Sequence, residues 1–93
     1  MTIFMTKYVM WGSYCANVID RRAPYRTAHL AGLAQQKADG LLVTIGPTQD
    51  LTKVFAIYEA ADESQVRSLI ESDPYWVNGV WTEYQVKEWI QAI

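Results

Sequence analysis

The spacing of apolar positions along the chain predicts four strands and two main helices. Short apolar or alternating runs, which are typical of strands, cover residues 7–13, 40–47, 53–60 and 80–89. Helical spacing predicts one helix over residues 24–38 and a second over residues 62–72. The second helix is expected to bury Val66, Leu69 and Ile70. The predicted order of elements is β-α-β-β-α-β.

Residues that begin and end helices support these boundaries. Pro24 suits the first turn of a helix, and Gly40 suits the position just after a helix end. The Asp62 carboxylate can cap the second helix, where a glutamine stands three residues on, as in a capping box. Asp73 followed by Pro74 predicts one further helical turn before the last strand.

A single domain over residues 1–93 accommodates this order of elements. Right-handed crossovers place two helices on an antiparallel four-stranded sheet, which is a ferredoxin-like α+β fold. Two helices can cover only one face of such a sheet. The other face needs a different cover if it is apolar.

Alternation along the strands gives the predicted sheet two partly apolar faces. In the first strand Val9 and Trp11 lie opposite Tyr8 and Met10, and in the third strand Phe55 and Ile57 lie opposite Val54, Ala56 and Tyr58. One face of the last strand carries Trp81, Glu83, Gln85, Lys87 and Trp89. A solvated face alternates to polar residues more cleanly. We therefore predict a homodimer whose sheets pack face to face.

Composition and charge argue against several classes of function. The net charge of −2, with scattered basic residues, argues against nucleic-acid binding, which uses a basic stripe. No apolar run approaches the roughly 20 residues of a membrane span, and the N-terminus lacks the basic segment of a signal peptide. Cys15 has no second cysteine to pair with, so we predict a reducing, cytoplasmic location. With one histidine, one cysteine and no phosphate-binding glycine loop, neither a metal nor a cofactor is predicted.

The chain has one histidine, His29, on the first predicted helix. With Leu30 taken as the centre of the buried stripe, His29 falls at the border between core and solvent, about 100° away. Arg26, one turn earlier, falls on the core side, where a guanidinium needs an anion or a water-filled cavity. One interpretation is an arginine and a histidine that face a cavity. The other is a boundary histidine bonded to a backbone carbonyl, beside an arginine that extends to water.

Three segments stand in one order and at one spacing: RTAHLAGL, GLLVTIGP and SDPYWVNGVWTEYQVKEW. Together they resemble the YCII-related (YciI-like) family of small bacterial proteins. The most specific elements are an Arg-x-x-His-Leu, a Gly-Pro after the second strand, and an Asp-Pro-Tyr followed by a glycine. They stand here at Arg26, His29 and Leu30, at Gly46 and Pro47, and at Asp73, Pro74, Tyr75 and Gly79. The resemblance implies a ferredoxin-like fold that dimerises through its sheets into an α+β barrel.

The same resemblance implies that His29 and Asp73 form an active-site pair. A carboxylate bonded to one imidazole nitrogen fixes the tautomer and stabilises the imidazolium that forms on proton transfer. Arg26 would supply a positive charge for an anionic substrate. The further candidate substrate-binding residues are Trp11, Gly46, Pro47, Tyr75, Trp76 and Trp81. The structural alternatives are that Asp73 only caps a turn, the tryptophans only form dimer core, and the Gly-Pro only ends a strand.

Three functions fit these residues. The first is a cofactor-independent lyase or isomerase that moves a proton on a small cyclic or aromatic, anionic molecule. One branch of the family is known as dehydrochlorinases of chlorinated hydroxyquinols, which agrees with this first function. The second is a dimer that binds such a small ligand as a sensor, without turnover. The third is an interaction module whose pocket has no function.

Overall fold

A computed structural model describes residues 5–93 of the chain. Four strands form one sheet: β1 Thr6–Tyr14, β2 Leu42–Pro47, β3 Lys53–Ala60 and β4 Trp81–Glu88. The helices are α1 Val18–Arg22, α2 Arg26–Ala38, α3 Glu63–Glu71 and α4 Pro74–Val77, with a 3-10 turn at Ala23–Tyr25. Each predicted strand and helix is present.

The first helical segment begins at Val18 and not at Pro24. Asn17 precedes α1 with a left-handed backbone, at φ 58°. Pro24 lies in the 3-10 turn that joins α1 to α2, because a proline has no N–H with which to continue an α-helical ladder. Gly40 has φ 78°, which is the conformation expected of a glycine just after a helix end.

The strands are antiparallel and follow the order β2-β3-β1-β4 across the sheet. This order confirms the predicted ferredoxin-like α+β fold. The hydrophobic core lies between the sheet and the helices, and its centre is built from residues with no exposed surface: Met10, Ala56, Ala60, Val66, Ile70 and Val80.

The start of α3 follows the predicted capping pattern. The Oδ1 atom of Asp62 accepts the backbone N–H of Gln65 at 2.9 Å. The Gln65 side chain accepts the backbone N–H of Ala61 at 3.0 Å, so the return bond reaches one residue further than in a standard capping box. Val66 and Ile70 are fully buried as predicted, whereas Leu69 is only half-buried.

A β-bulge between β1 and β4 decides the direction of Trp81. Ser13 pairs with Glu83, but Tyr14 pairs with Trp81, so the β4 residue between Trp81 and Glu83 has no pairing partner on β1. This extra residue reverses the alternation, and Trp81 is 2% exposed on the helix side of the sheet. Its predicted position on the same face as Glu83 is therefore wrong, because strict alternation does not anticipate a bulge. Gly12 lies beside the bulge, where a Cβ would be 2.5 Å from the Glu83 carbonyl oxygen.

The sheet face away from the helices carries a strip of apolar side chains at its centre. Trp11 and Phe55 are cross-strand partners and are 38% and 47% exposed. Val9 and Ile57 pair beside them and are half-buried. We call these four residues the apolar strip. Charged side chains flank it on three strands: Lys7, Lys53, Glu59, Glu83 and Lys87.

Candidate active site

His29 and Asp73 meet where α2 packs against α4. His29 lies in the first turn of α2, and Asp73 is the residue that directly precedes α4. The Nδ1 atom of His29 is 2.8 Å from both carboxylate oxygens of Asp73. Each residue is 5% exposed. The fold thus brings together two buried polar side chains that are 44 residues apart in the sequence. We call His29 and Asp73 the dyad.

The local sequence around Asp73 holds its carboxylate in place. Asp73 is extended, at φ −67° and ψ 135°, as expected for a residue that precedes a proline. Its Oδ1 atom accepts the backbone N–H of Tyr75 at 2.8 Å and thereby caps α4. The same carboxylate therefore caps a turn and contacts His29, so the two interpretations of Asp73 do not compete.

Two aromatic side chains enclose the imidazole. The ring of Tyr75 stacks on that of His29, with centroids 3.6 Å apart and planes inclined by 8°. Trp81 meets the same ring edge to face, at 5.3 Å and 87°. Trp81 also lies edge to face with Tyr75, at 5.7 Å. These contacts and the bond to Asp73 fix the plane of the imidazole.

The bond to Asp73 assigns a role to each ring nitrogen of His29. An ionised carboxylate only accepts hydrogen bonds, so Nδ1–H donates to Asp73 and Nε2 is the nitrogen that can accept a proton. Among residues 5–93, no group forms a hydrogen bond with Nε2. The side chain of His29 retains 7% of its exposure. The arrangement is that of an oriented base that is almost fully buried.

Three tyrosine phenols lie within electrostatic range of Asp73. Burial raises the pKa of Tyr14, Tyr58 and Tyr75, and the negative charge of Asp73 adds to the rise in each case. Tyr58 lies on β3 and is 1% exposed. The phenols therefore stay protonated at neutral pH and can donate hydrogen bonds.

The buried face of α2 differs from the predicted one. His29 and Leu33 are buried and Gln36 is half-buried, whereas Leu30 is 44% exposed. The prediction that Leu30 forms the centre of the stripe and His29 its border is wrong. Asp73 and Tyr75 satisfy the polar atoms and the ring of His29, so a histidine can occupy a position that the pattern assigns to an apolar side chain.

Two arginines carry positive charge to the edge of the site. Arg26 is exposed, so the prediction that it faces the core is wrong. Its charge nevertheless opposes the rise in the pKa of Tyr75. Arg22 is half-buried at the end of α1, and its charge opposes the pKa rises of both Tyr14 and Tyr75. Sequence reasoning missed Arg22 because it treated α1 as a lead-in to the helix.

The other candidate residues lie in different parts of the fold. Trp11 belongs to the apolar strip, on the sheet face opposite the dyad. Gly46 and Pro47 end the edge strand β2. Trp76 packs edge to face on Tyr84, with centroids 5.0 Å apart. Of the predicted aromatic set, the fold brings Tyr75 and Trp81 onto the His29 ring. It also places two tyrosines near the pair that the sequence did not single out: Tyr14 meets the Tyr75 ring, and Tyr58 lies within electrostatic range of Asp73.

The surface has a concavity between α2 and β2 and another at a turn, and neither of these two is lined by His29 or Asp73. One, of about 260 Å³, runs between α2 and β2 and is lined by Leu30, Leu33, Ala34, Lys37, Leu42, Thr44 and Ile45. The other lies at the turn of Thr48, Gln49 and Asp50. Within residues 5–93, no three His, Cys, Asp or Glu side chains are grouped to hold a metal ion. The described helices include none with the length and apolar character to cross a membrane.

Several solved structures share this fold. One is 5-chloro-2-hydroxyhydroquinone dehydrochlorinase (TftG) from Burkholderia phenoliruptrix AC1100, in complex with 2,5-dihydroxybenzoquinone. It is 26% identical, at a TM-score of 0.80, over 92% of this chain and 95% of that one. A NIPSNAP-like domain protein from Burkholderia xenovorans is 14% identical at a TM-score of 0.60, over 97% and 87% of the two chains. A protein from Pseudomonas aeruginosa is 6% identical at a TM-score of 0.61, over all of both chains. The last two share the fold alone.

The fold and the buried dyad define a small α+β protein of the ferredoxin-like class. The family model of the YCII-related domain matches residues 6–90, which is almost the whole chain. The chain therefore belongs to the YCII-related family. No functionally curated protein matches it.

Proposed function

We propose that this protein is a cofactor-independent enzyme that transfers protons on a small, anionic aromatic or cyclic molecule, as in a dehydrochlorination. The observation that carries this proposal is the buried His29–Asp73 pair, with Nδ1 2.8 Å from both carboxylate oxygens. An imidazole oriented in this way is suited to general acid–base catalysis. The likeness to TftG, a dehydrochlorinase whose structure holds a dihydroxyquinone, supports the substrate class.

Dehydrochlorination of a chlorinated hydroxyhydroquinone requires proton transfer and no external oxidant. Two protons leave hydroxyl oxygens, and one proton adds to the ring carbon that bears chlorine. The carbon–chlorine bond then breaks, and its electron pair leaves with chloride. The net loss is HCl, and the ring becomes a hydroxyquinone. Nε2 of His29 is the group that takes a proton from oxygen and returns one to carbon, while Asp73 stabilises the imidazolium.

Chloride release from 5-chloro-2-hydroxyhydroquinone under anaerobic conditions tests this proposal. We expect release in proportion to protein concentration, together with the visible absorbance of the quinone product. Saturable binding of 2,5-dihydroxybenzoquinone without chloride release would favour the ligand-sensing function instead. If the protein neither binds the quinone nor releases chloride, this substrate class is wrong.

We also propose that the apolar strip is the contact between two copies of the chain. The strip exposes Trp11 and Phe55 in the middle of a sheet face that the helices do not cover. Beyond β4, Ile90 and Ile93 are 87% and 107% exposed, which adds apolar surface for a second copy to cover. An exposed aromatic cluster with a charged rim is typical of protein interfaces. Opposite charges within the rim can pair between copies, since it holds both lysines and glutamates.

Replacing Phe55 by aspartate should convert the protein from dimer to monomer. The new carboxylate would be buried against apolar side chains without a partner, which costs several kcal/mol and weakens association by at least about 100-fold. Light scattering should give twice the chain mass of 10.6 kDa for the wild type and that mass for the variant. Val77→Asp, on the helix side at 67% exposure, is the matched control and should stay dimeric. A wild type that is monomeric at micromolar concentration would contradict this proposal.

A further inference from the structure

The indole N–H of Trp81 is a buried donor that no group in the described chain satisfies. Trp81 is 2% exposed, and its Nε1 atom has no hydrogen-bond partner among residues 5–93. Buried polar groups almost always find a partner. The ring is also held in place, since it meets both His29 and Tyr75 edge to face. A fixed, buried donor beside His29 that lacks a partner of good geometry is available to an oxygen atom supplied from outside the chain.

A second donor stands next to Trp81. Tyr14 is its partner across the bulge of the sheet, and the Tyr14 ring meets that of Tyr75 at 6.5 Å and 72°. Burial raises the pKa of Tyr14, and the nearby Trp81 indole opposes that rise without meeting hydrogen-bond geometry. The Tyr14 phenol is therefore a protonated group close to the indole N–H. Tyr14 is half-buried, so solutes can reach this side of the cluster.

Arg22, at the end of α1, supplies a positive charge that acts on the same aromatic cluster. Arg22 is half-buried at the end of that helix, and its charge acts on both Tyr14 and Tyr75. Within the described part of the chain, its guanidinium forms no hydrogen bond or ion pair with a carboxylate. Asp73, whose charge acts on the same two tyrosines, is already bonded to His29 and to the N–H of Tyr75. Arg22 is thus a half-buried cation that can interact with an anion from outside the chain.

We propose that the Trp81 N–H, the Tyr14 hydroxyl and Arg22 form an oxyanion-binding subsite beside His29. Its ligand is the ionised oxygen of a small aromatic acid, either a phenolate or a carboxylate. The two neutral donors bind the oxygen, and the guanidinium balances its charge. This inference rests on the proposed function, because the subsite would hold a substrate oxygen while His29 exchanges protons with the same molecule. The bulge builds the subsite, since it turns Trp81 toward the helices.

The indole ¹⁵N–¹H resonance of Trp81 tests the subsite without any turnover. It is assigned by its loss in Trp81→Phe, and the protein is then titrated with benzoate and with benzamide, its uncharged analogue. We expect a saturable downfield shift with benzoate and little or none with benzamide. If the Trp81 resonance does not respond to benzoate, the subsite is wrong and the N–H is bound by water only.

Arginine variants test the charge separately. Arg22→Gln should weaken benzoate binding about 10-fold or more, as loss of a charge-assisted contact predicts. Arg21→Gln removes an exposed arginine from the same helix and should change the affinity less than about twofold. Tyr14→Phe should weaken binding by about threefold. Equal affinities for the two arginine variants would overturn the role of Arg22.

The outcomes separate this inference from the proposed function. If the protein binds benzoate at Trp81 but releases no chloride from chlorinated hydroxyhydroquinones, the subsite is supported and the proposed function is wrong. If chloride is released with the same KM by the wild type and by Arg22→Gln, the proposed function is supported and the subsite is wrong.

Discussion

His29→Gln is expected to lower chloride release from 5-chloro-2-hydroxyhydroquinone by about 10²–10⁴-fold, the range typical for loss of a general acid–base group. Glutamine can still present an amide N–H toward Asp73, but it offers no nitrogen that exchanges protons near neutral pH. The loss should fall on kcat more than on KM, because in the proposed mechanism the ring exchanges protons, whereas the proposed subsite of Arg22 and Trp81 binds the substrate. Steady-state kinetics with a chloride sensor measure both constants.

Thr27→Ala is the matched control for the His29 variant. Thr27 is exposed on the same helix and is not among the candidate site residues, so activity should stay within a fewfold of the wild type. Circular dichroism should be the same for both variants and the wild type. Wild-type turnover by a folded His29→Gln would remove His29 from the mechanism.

Asp73→Ala is expected to have the largest effect on stability. It removes the buried partner of His29 and, at the same time, the cap of α4, since Oδ1 accepts the N–H of Tyr75. Loss of one member of a buried, hydrogen-bonded pair costs about 3–5 kcal/mol of unfolding free energy, and the cap adds about 1 kcal/mol. In a chain of this length, a loss of that size lowers Tm by more than about 10 °C. Denaturant unfolding measures the free energy directly.

Asp62→Ala provides the comparison for the cap alone. Asp62 caps α3 through the same kind of bond, but it is exposed and contacts no histidine. We expect a much smaller loss of unfolding free energy for Asp62→Ala, because only a helix cap is removed. Asp73→Asn keeps an acceptor oxygen. Its loss of unfolding free energy should therefore lie between the losses of Asp73→Ala and Asp62→Ala. If Asp73→Ala and Asp62→Ala cost the same, then the bond to His29 contributes nothing to stability.

Local chemistry made most of the fold predictable. The strands at residues 53–60 and the cap of α3 match the sequence expectations because alternation and capping are short-range effects. The pattern misplaces the start of the first helical segment, because it favours Pro24 as the beginning, whereas α1 begins at Val18. A proline can also lie in a 3-10 turn between two helices, as it does here.

Only part of the candidate site can be predicted from the sequence. The pairing of His29 with Asp73 came from the family resemblance, since nothing in the spacing of two residues 44 positions apart indicates a contact. The buried face of α2 was misjudged, because the pattern treats leucine as buried and histidine as borderline. The actual face depends on a carboxylate and a tyrosine ring supplied by α4.

The sequence by itself determined the order of the strands and helices, their caps, and the excess of apolar residues on the second sheet face. These follow from periodicity and from bonds between residues a few positions apart. Only the tertiary structure decided that Trp81 and Tyr75 enclose His29, that the charge of Arg22 acts on Tyr14, and that Arg26 faces solvent. For Trp81 the physical reason is that one extra residue in β4 reverses the side-chain direction, and the approach of Gly12 to the Glu83 carbonyl permits it. A bulge arises from the pairing of two distant strands, and it leaves no mark on the pattern of either one.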